Sequence, residues 1–254
     1  MIKAIIYTLV FAAIEVLMLP LIGAVQRLMG LEVGQLTATN YIIAMTASCV
    51  VVLALFLYLR WAEVSRSYVQ SRPWATLFWC ALAAVGAIIP SSFFQELIPE
   101  LPNFVEDEFD MILRDRWGYF VIGLLAPVCE ELVFRGAVLR ALLRWMPRHW
   151  VAIAISALFF TLIHANPAQM PHAFLIGLLL GWLYYRTDSI VPGIVYHWVN
   201  NSIAYVIYNF YPDPKMTLLD LFASQRTVGA AVLFSLFILL PALYQLNLRL
   251  RKAQ

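Results

Sequence analysis

The stretch PVCEELVFRGAVLR, Pro127–Arg140, sets two adjacent glutamates, Glu130 and Glu131, and an arginine, Arg135, in a segment otherwise apolar enough to lie in a bilayer. An α-helix turns about 100° per residue, so Glu131 and Arg135, four apart, share a face and are expected to pair. Glu130 is turned about one residue step away and has no local cation. A carboxylate shielded from water and left unpaired is a candidate general base. Helix packing alone is the other role open to the three residues. Ionisable groups inside a membrane span cost about 3 kcal/mol each on insertion scales, which makes function the default reading.

The rest of the chain supports the membrane. Of 254 residues, 63% are hydrophobic and only 13% charged, where a soluble domain carries roughly 25% charged residues. Mean hydropathy is +0.80. Eight apolar segments are expected to be transmembrane helices: 4–26, 40–59, 74–90, 117–139, 150–165, 172–186, 190–209 and 227–246. All should be helical, because lipid offers the backbone no hydrogen-bond partners. Those at 74–90, 150–165 and 172–186 are short, which calls for tilt, extension or shelter by protein. The expected fold is therefore all-α and polytopic: one membrane domain over 1–254, with the site buried between helices. The first apolar run is too long for the core of a cleavable signal and lacks a small-residue cleavage site, so it reads as a span. A net charge of +2 gives no footprint for nucleic acid. Cys49, Cys80 and Cys129 lie inside apolar runs at no metal-ligand spacing and read as small buried hydrophobes.

Orientation follows from lysine and arginine in the loops. With eight spans both termini share a side. That side would hold Lys3, Arg60, Arg66, Arg72, Arg140, Arg144, Arg148, Arg186, Arg249, Arg251 and Lys252. The other would hold Arg27, Arg114, Arg116, Lys215 and Arg226. Eleven against five places both termini in the cytoplasm, as for a bacterial inner-membrane protein. The connection 91–116 then faces outside; it is acidic, and its pattern leaves a surface helix open.

Other polar groups fall within the spans. His164 ends the run FFTLIHA, with Phe160 four residues before it on the same face. In HWVNN, His197 and Asn201 share a helical face, with Asn200 close to it. An imidazole and a carboxamide so placed can donate two hydrogen bonds to one oxygen, as an oxyanion hole requires. An interfacial role for His164 and interhelical hydrogen bonding for His197 and Asn201 are the alternatives. Together, a Glu and His164 that activate water and a His197–Asn201 pair that holds the oxyanion describe amide hydrolysis. Glu15 lies mid-helix near Pro20, with either a distant cation or a wet cavity as its partner. His149 and His172 flank spans and read as interfacial, and Trp61, Trp74, Trp117 and Trp150 as an aromatic belt.

These motifs resemble a known family. EELVFR fits EExxxR at Glu130, Glu131 and Arg135; FTLIH fits FxxxH at Phe160 and His164; HWVNN fits HxxxN at His197 and Asn201. Their order and separation resemble the CPBP family of intramembrane proteases, which includes type II CAAX prenyl endopeptidases and bacterial Abi-type proteins. The stretch FLIGLLLGWLYYRTDSIVPGIVYH is similar to that family too, and its Gly177 and Gly181 form a GxxxG face that lets helices approach closely. The resemblance covers about 117–209. It implies an all-helical intramembrane endopeptidase acting on a membrane-delivered peptide or protein, prenylated CAAX substrates being those of the eukaryotic relatives. It implies water activation by Glu130 and His164 and an oxyanion site at His197 and Asn201. Glu131, Arg135 and Phe160 would support them.

No cofactor is favoured. Zinc is the alternative, with Glu130, His164 and His197 as ligands, although no HExxH motif is present and Asn201 suits an oxyanion better than a metal. Counting about 1.5 Å per residue from assumed cytoplasmic helix ends puts Glu130 and His197 at similar depth and His164 nearer the outer face, which strains a shared-water mechanism. A non-enzymatic membrane partner, such as a bacteriocin-immunity or chaperone-like protein, is the competing class. A transporter is a third, weakened by the absence of an internal repeat.

Overall fold

In a computed structural model, which describes residues 1–30, 35–211, 213 and 216–251, the chain is all helical. Lys215 and Lys252 of the orientation count lie outside the described residues. The long helices are α1 (Ile2–Leu28), α2 (Ala38–Tyr58), α4 (Trp74–Glu96) and α12 (Gln225–Arg249). These four are long and apolar enough to cross a membrane. Short helices α3 (Arg66–Gln70) and α5 (Glu106–Arg114) lie between them in sequence. Next comes a continuous rod: a π-helical segment Phe120–Leu125, α6 (Ala126–Glu131), a second π-helical segment Leu132–Leu139, and α7 (Arg140–Trp145). Then follow α8 (His149–Leu162), α9 (Met170–Thr187), α10 (Val191–Phe210) and the short α11 (Leu218–Phe222). Every one of the eight expected segments is helical, and four meet the length and hydropathy of a span unaided.

The two groups of helices divide the work. The long helices leave most of their apolar surface exposed, as lipid-facing helices do. The rod is the opposite: every side chain from Leu132 to Leu139 is buried. One apolar core joins α1, α2, the rod and α8 through Phe11, Phe56, Phe134 and Phe160. A second joins α4, α9, α10 and α12 through Cys80, Leu180, Tyr196 and Leu246. The polar groups lie where the two cores meet.

Local chemistry sets the helix ends. Thr37 and Asn40 form a reciprocal capping box at α2, and Thr217 and Asp220 form another at α11. At the end of α9 the Thr-Asp-Ser turn works through Asp188 in the left-handed region, with φ 55°. The Thr187 hydroxyl donates to the Leu183 carbonyl and accepts from the Ser189 N–H.

The GxxxG face packs α9 on α8. A Cβ on Gly177 would lie 2.9 Å from that of Ala157, and one on Gly181 would lie 2.8 Å from Ile153 Cγ2. α8 has only 14 residues, roughly 21 Å of helix against a hydrocarbon core of about 30 Å. The turn after it is not helical, and protein seals it. Buried Asn166 donates to Asn103 and accepts the Phe104 N–H, while Ala168 N–H reaches the Pro102 carbonyl. The acidic connection does contain a surface helix, α5. Its Asp110 accepts from the Tyr208 hydroxyl of α10 and from Arg114, which hold its carboxyl below the usual range.

The expected belt is partly there. Trp74, Trp117 and Trp150 are exposed at helix ends, but Trp61 turns inward against Tyr7 and Phe56, with ring centroids 4.8 and 5.2 Å away. His149 stacks on Tyr185 at 4.2 Å.

Gly181→Leu should force α8 and α9 apart and cost about 1–3 kcal/mol of stability, read as a lowered unfolding midpoint in detergent. Gly23→Ala, with nothing within 4 Å of the added Cβ, should leave that midpoint unchanged or raise it slightly.

Candidate active site

The site begins with the ion pair. Arg135 Nη1 lies 2.7 Å from Glu131 Oε1, and both side chains are almost wholly buried. A buried charge needs more than one partner, because desolvation offsets much of the Coulombic gain. Arg135 donates through Nη2 to the Gly177 carbonyl of α9 at 3.3 Å. Its guanidinium stands 4.5 Å from the ring centroid of Phe160 in α8. Glu131 Oε1 also faces His197 Nδ1 of α10 at 3.3 Å. Its Oε2 lies against Gly193, where an added Cβ would come within 2.4 Å. One ion pair thereby ties the rod to α8, α9 and α10.

Phe160 sits among these groups. Its ring meets His164 edge-on at 4.9 Å and His197 at 5.9 Å. The aromatic position of FxxxH is thus a spacer that holds two histidines and a guanidinium at fixed separations. His164 Nδ1 is 2.8 Å from the Phe160 carbonyl. A carbonyl can only accept, so Nδ1 carries the proton and Nε2 is left with its lone pair.

Glu130 is turned away from the pair, as the helical step requires. Its side chain is 19% exposed, against 0% for Glu131, and its Oε2 lies 3.7 Å from His197 Nε2. Glu130 and His164 line one cavity of about 160 Å3, whose wall also includes Phe11, Glu15, Met45 and Cys49. α8 ends at Leu162, and His164, two residues beyond it, lines the same cavity as Glu130.

Asn201 has a role written in the backbone. Along the first π-helical segment the Ala126 N–H bonds the Val121 carbonyl, five residues back. The next donor in that pattern would be Pro127, which has no N–H. The Ile122 carbonyl is left without it, and Asn201 Nδ2 supplies a bond at 3.1 Å. Asn201 Oδ1 accepts from Asn200 Nδ2 at 3.3 Å, which fixes which way the amide points. Asn201 is not among the side chains that line the cavity of Glu130 and His164.

Sequence reasoning missed Gly193, the Gly177 carbonyl and Ser48, whose hydroxyl donates to Glu15 at 2.8 Å. The need for Asn201 at Ile122 did leave a signal, a proline five residues after the carbonyl it cannot serve. Among the described residues, no three side chains of His, Cys, Asp and Glu converge closely enough to hold a metal ion.

Arg135→Leu would strand the Glu131 carboxylate and should cost about 3–5 kcal/mol, read by unfolding in detergent. The double change Glu131→Leu with Arg135→Leu should cost less than the sum of the single changes.

Residues 113–203 match the family model for type II CAAX prenyl endopeptidase Rce1-like proteins. The chain is 25% identical over 121 residues to UPF0177 protein YbdI of Lactococcus lactis subsp. lactis (strain IL1403). That alignment covers 45% of this chain and 65% of the relative, a little under two thirds of its length. No solved structure matches the chain. The matched residues 113–203 contain all three motifs, and over them the chain is similar to the type II CAAX prenyl endopeptidase Rce1-like proteins.

Proposed function

We propose that the protein is an intramembrane endopeptidase that hydrolyses a peptide bond in a membrane-delivered protein or peptide. Prenylated CAAX-type chains are the substrate class its family suggests. The observation that carries the reading is the shared cavity of Glu130 and His164, with His197 beside Glu130. Its volume of about 160 Å3 has room for roughly five waters, enough for a nucleophile and part of a peptide group.

In this reading Glu130 takes a proton from water, and His164 Nε2 accepts the second hydrogen bond that orients it. The oxygen attacks the carbonyl carbon. Negative charge grows on the carbonyl oxygen, where His197 and Asn201 donate. With its Nδ1 facing Glu131, His197 turns Nε2 toward Glu130 and the reacting carbonyl. Asn201 spends one amide proton on Ile122 and keeps the other for the oxyanion. The proton on Glu130 then passes to the departing nitrogen, and the C–N bond breaks. Glu131, Arg135 and Phe160 hold the rings and carboxylates in place without touching substrate. No step passes through a metal.

The long lipid-facing helices support a multi-pass membrane protein. We read the chain as crossing eight times with both termini cytoplasmic, in a bacterial inner membrane. The inner segments then cross within the shelter of the outer four.

The test is cleavage by purified protein in detergent, offering a prenylated CAAX peptide beside a mixed peptide library. Glu130→Ala should reduce cleavage by about 100-fold or more, the range of a lost general base. Chelator should have no effect. Loss on chelation restored by zinc would make Glu130, His164 and His197 metal ligands instead. A wild type that cleaves nothing would favour a non-enzymatic membrane partner.

A further inference from the structure

The family match begins at residue 113, yet the cavity is not closed by the matched segment alone. Phe11 and Glu15 from α1 and Met45 and Cys49 from α2 complete its wall. Glu15 does not lie there by chance of rotamer. Ala4, Tyr7 and Phe11 are the buried residues of α1, and Glu15 continues that stripe at the same helical spacing. Phe11 packs edge-on against Phe134 of the rod at 5.5 Å, which fixes the rotation of α1 about its axis. The Ser48 hydroxyl, itself buried, lies 2.8 Å from Glu15 Oε1 and shares its one proton between that oxygen and the Met45 carbonyl at 3.0 Å, which orients the carboxylate. No cation is paired with Glu15 among the described residues. A second carboxylate facing the space in which Glu130 and His164 would hold water needs a donor, and among the described residues no donor but Ser48 is in contact with it.

We propose that Glu15 is the group of this site that acts on the leaving nitrogen, an assignment that rests on the peptidase reading above. In the intact substrate its free oxygen accepts the N–H of the scissile amide. When water adds, Glu130 holds the proton taken from it. That proton moves to the nitrogen, the C–N bond breaks, and the products are a carboxylic acid and an amine. The acid gives its proton to the amine, leaving a carboxylate and an ammonium group. Glu15 ends as it began, a carboxylate, now facing a cation. Its hydrogen bond to nitrogen strengthens as positive charge develops there, which is the differential binding that lowers a barrier. Glu15, Glu130 and His164 line one cavity of about 160 Å3, so a peptide group reached by water at Glu130 is not remote from Glu15.

An ester substrate separates this role from a structural one, because its leaving oxygen carries no hydrogen and becomes a neutral alcohol. The peptide cleaved in the assay above is compared with its analogue bearing an ester at the scissile bond. Glu15→Gln should lower kcat/KM on the amide about tenfold or more, the effect of one lost charge-assisted hydrogen bond, and lower it on the ester less than about threefold. Ser48→Ala should shift the amide-to-ester ratio in the same direction by a smaller factor. Glu130→Ala should abolish both reactions, since both need activated water. The ratio is measured within one sample, so partial unfolding cannot produce it. Equal losses on amide and ester in Glu15→Gln, or no loss on either, would overturn the assignment while leaving the peptidase reading intact. A wild type inactive on both substrates would overturn that reading and this one with it.

Discussion

The structure turns on a buried ion pair that cannot be satisfied by its own helix. Glu131 and Arg135 lie one helical turn apart and meet at 2.7 Å, yet each has hydrogen-bonding capacity left over in a place without water. Arg135 fills part of it with the Gly177 carbonyl and the face of Phe160; Glu131 fills part with His197. Those three contacts come from α9, α8 and α10. A buried charge pair is weak evidence for stability by itself. Here its larger consequence is positional: the same contacts that satisfy the pair determine where His197 and Phe160 stand, and Phe160 in turn sets His164.

The second constraint is in the backbone. Two π-helical segments flank the residues that carry the glutamates, and Pro127 interrupts the hydrogen-bond ladder between them. π-helical turns concentrate at functional sites because they release backbone groups and re-aim side chains. The released carbonyl of Ile122 is answered by Asn201, so the third motif is tied to the first through main chain as well as through the His197–Glu131 contact. Of the two segments, Leu132–Leu139 is wholly buried. Irregular backbone at membrane depth survives only where protein surrounds it. The long apolar helices α1, α2, α4 and α12 leave apolar surface exposed, while the shorter and more polar segments pack against them.

The matched segment and the rest of the chain contribute differently. Residues 113–203 hold the ion pair, both histidines and Asn201, while α1 and α2 supply the opposite cavity wall and a carboxylate of their own. The chemistry is concentrated in one segment and the shape of the space around it in another.

Much of this was legible in the residues themselves. Composition and apolar runs determined an all-helical membrane protein, because lipid leaves the backbone no other way to satisfy itself. The four-residue spacing determined the Glu131–Arg135 contact and the separate orientation of Glu130, since both follow from helical rotation within one segment. The GxxxG face announced the close approach of α9 to another helix. What the sequence left undecided involved contacts between segments. Helix periodicity could not show that α8 ends after 14 residues, that Phe160 lies between two histidines, or that Glu15 on α1 faces the same cavity as Glu130. Periodicity says which face of a helix a residue occupies; it does not say how far that helix slides or rotates against its neighbours. Packing at Gly177, Gly181 and Gly193 and the hydrogen bonds of a buried charge decide that, and they exist only once the helices have met.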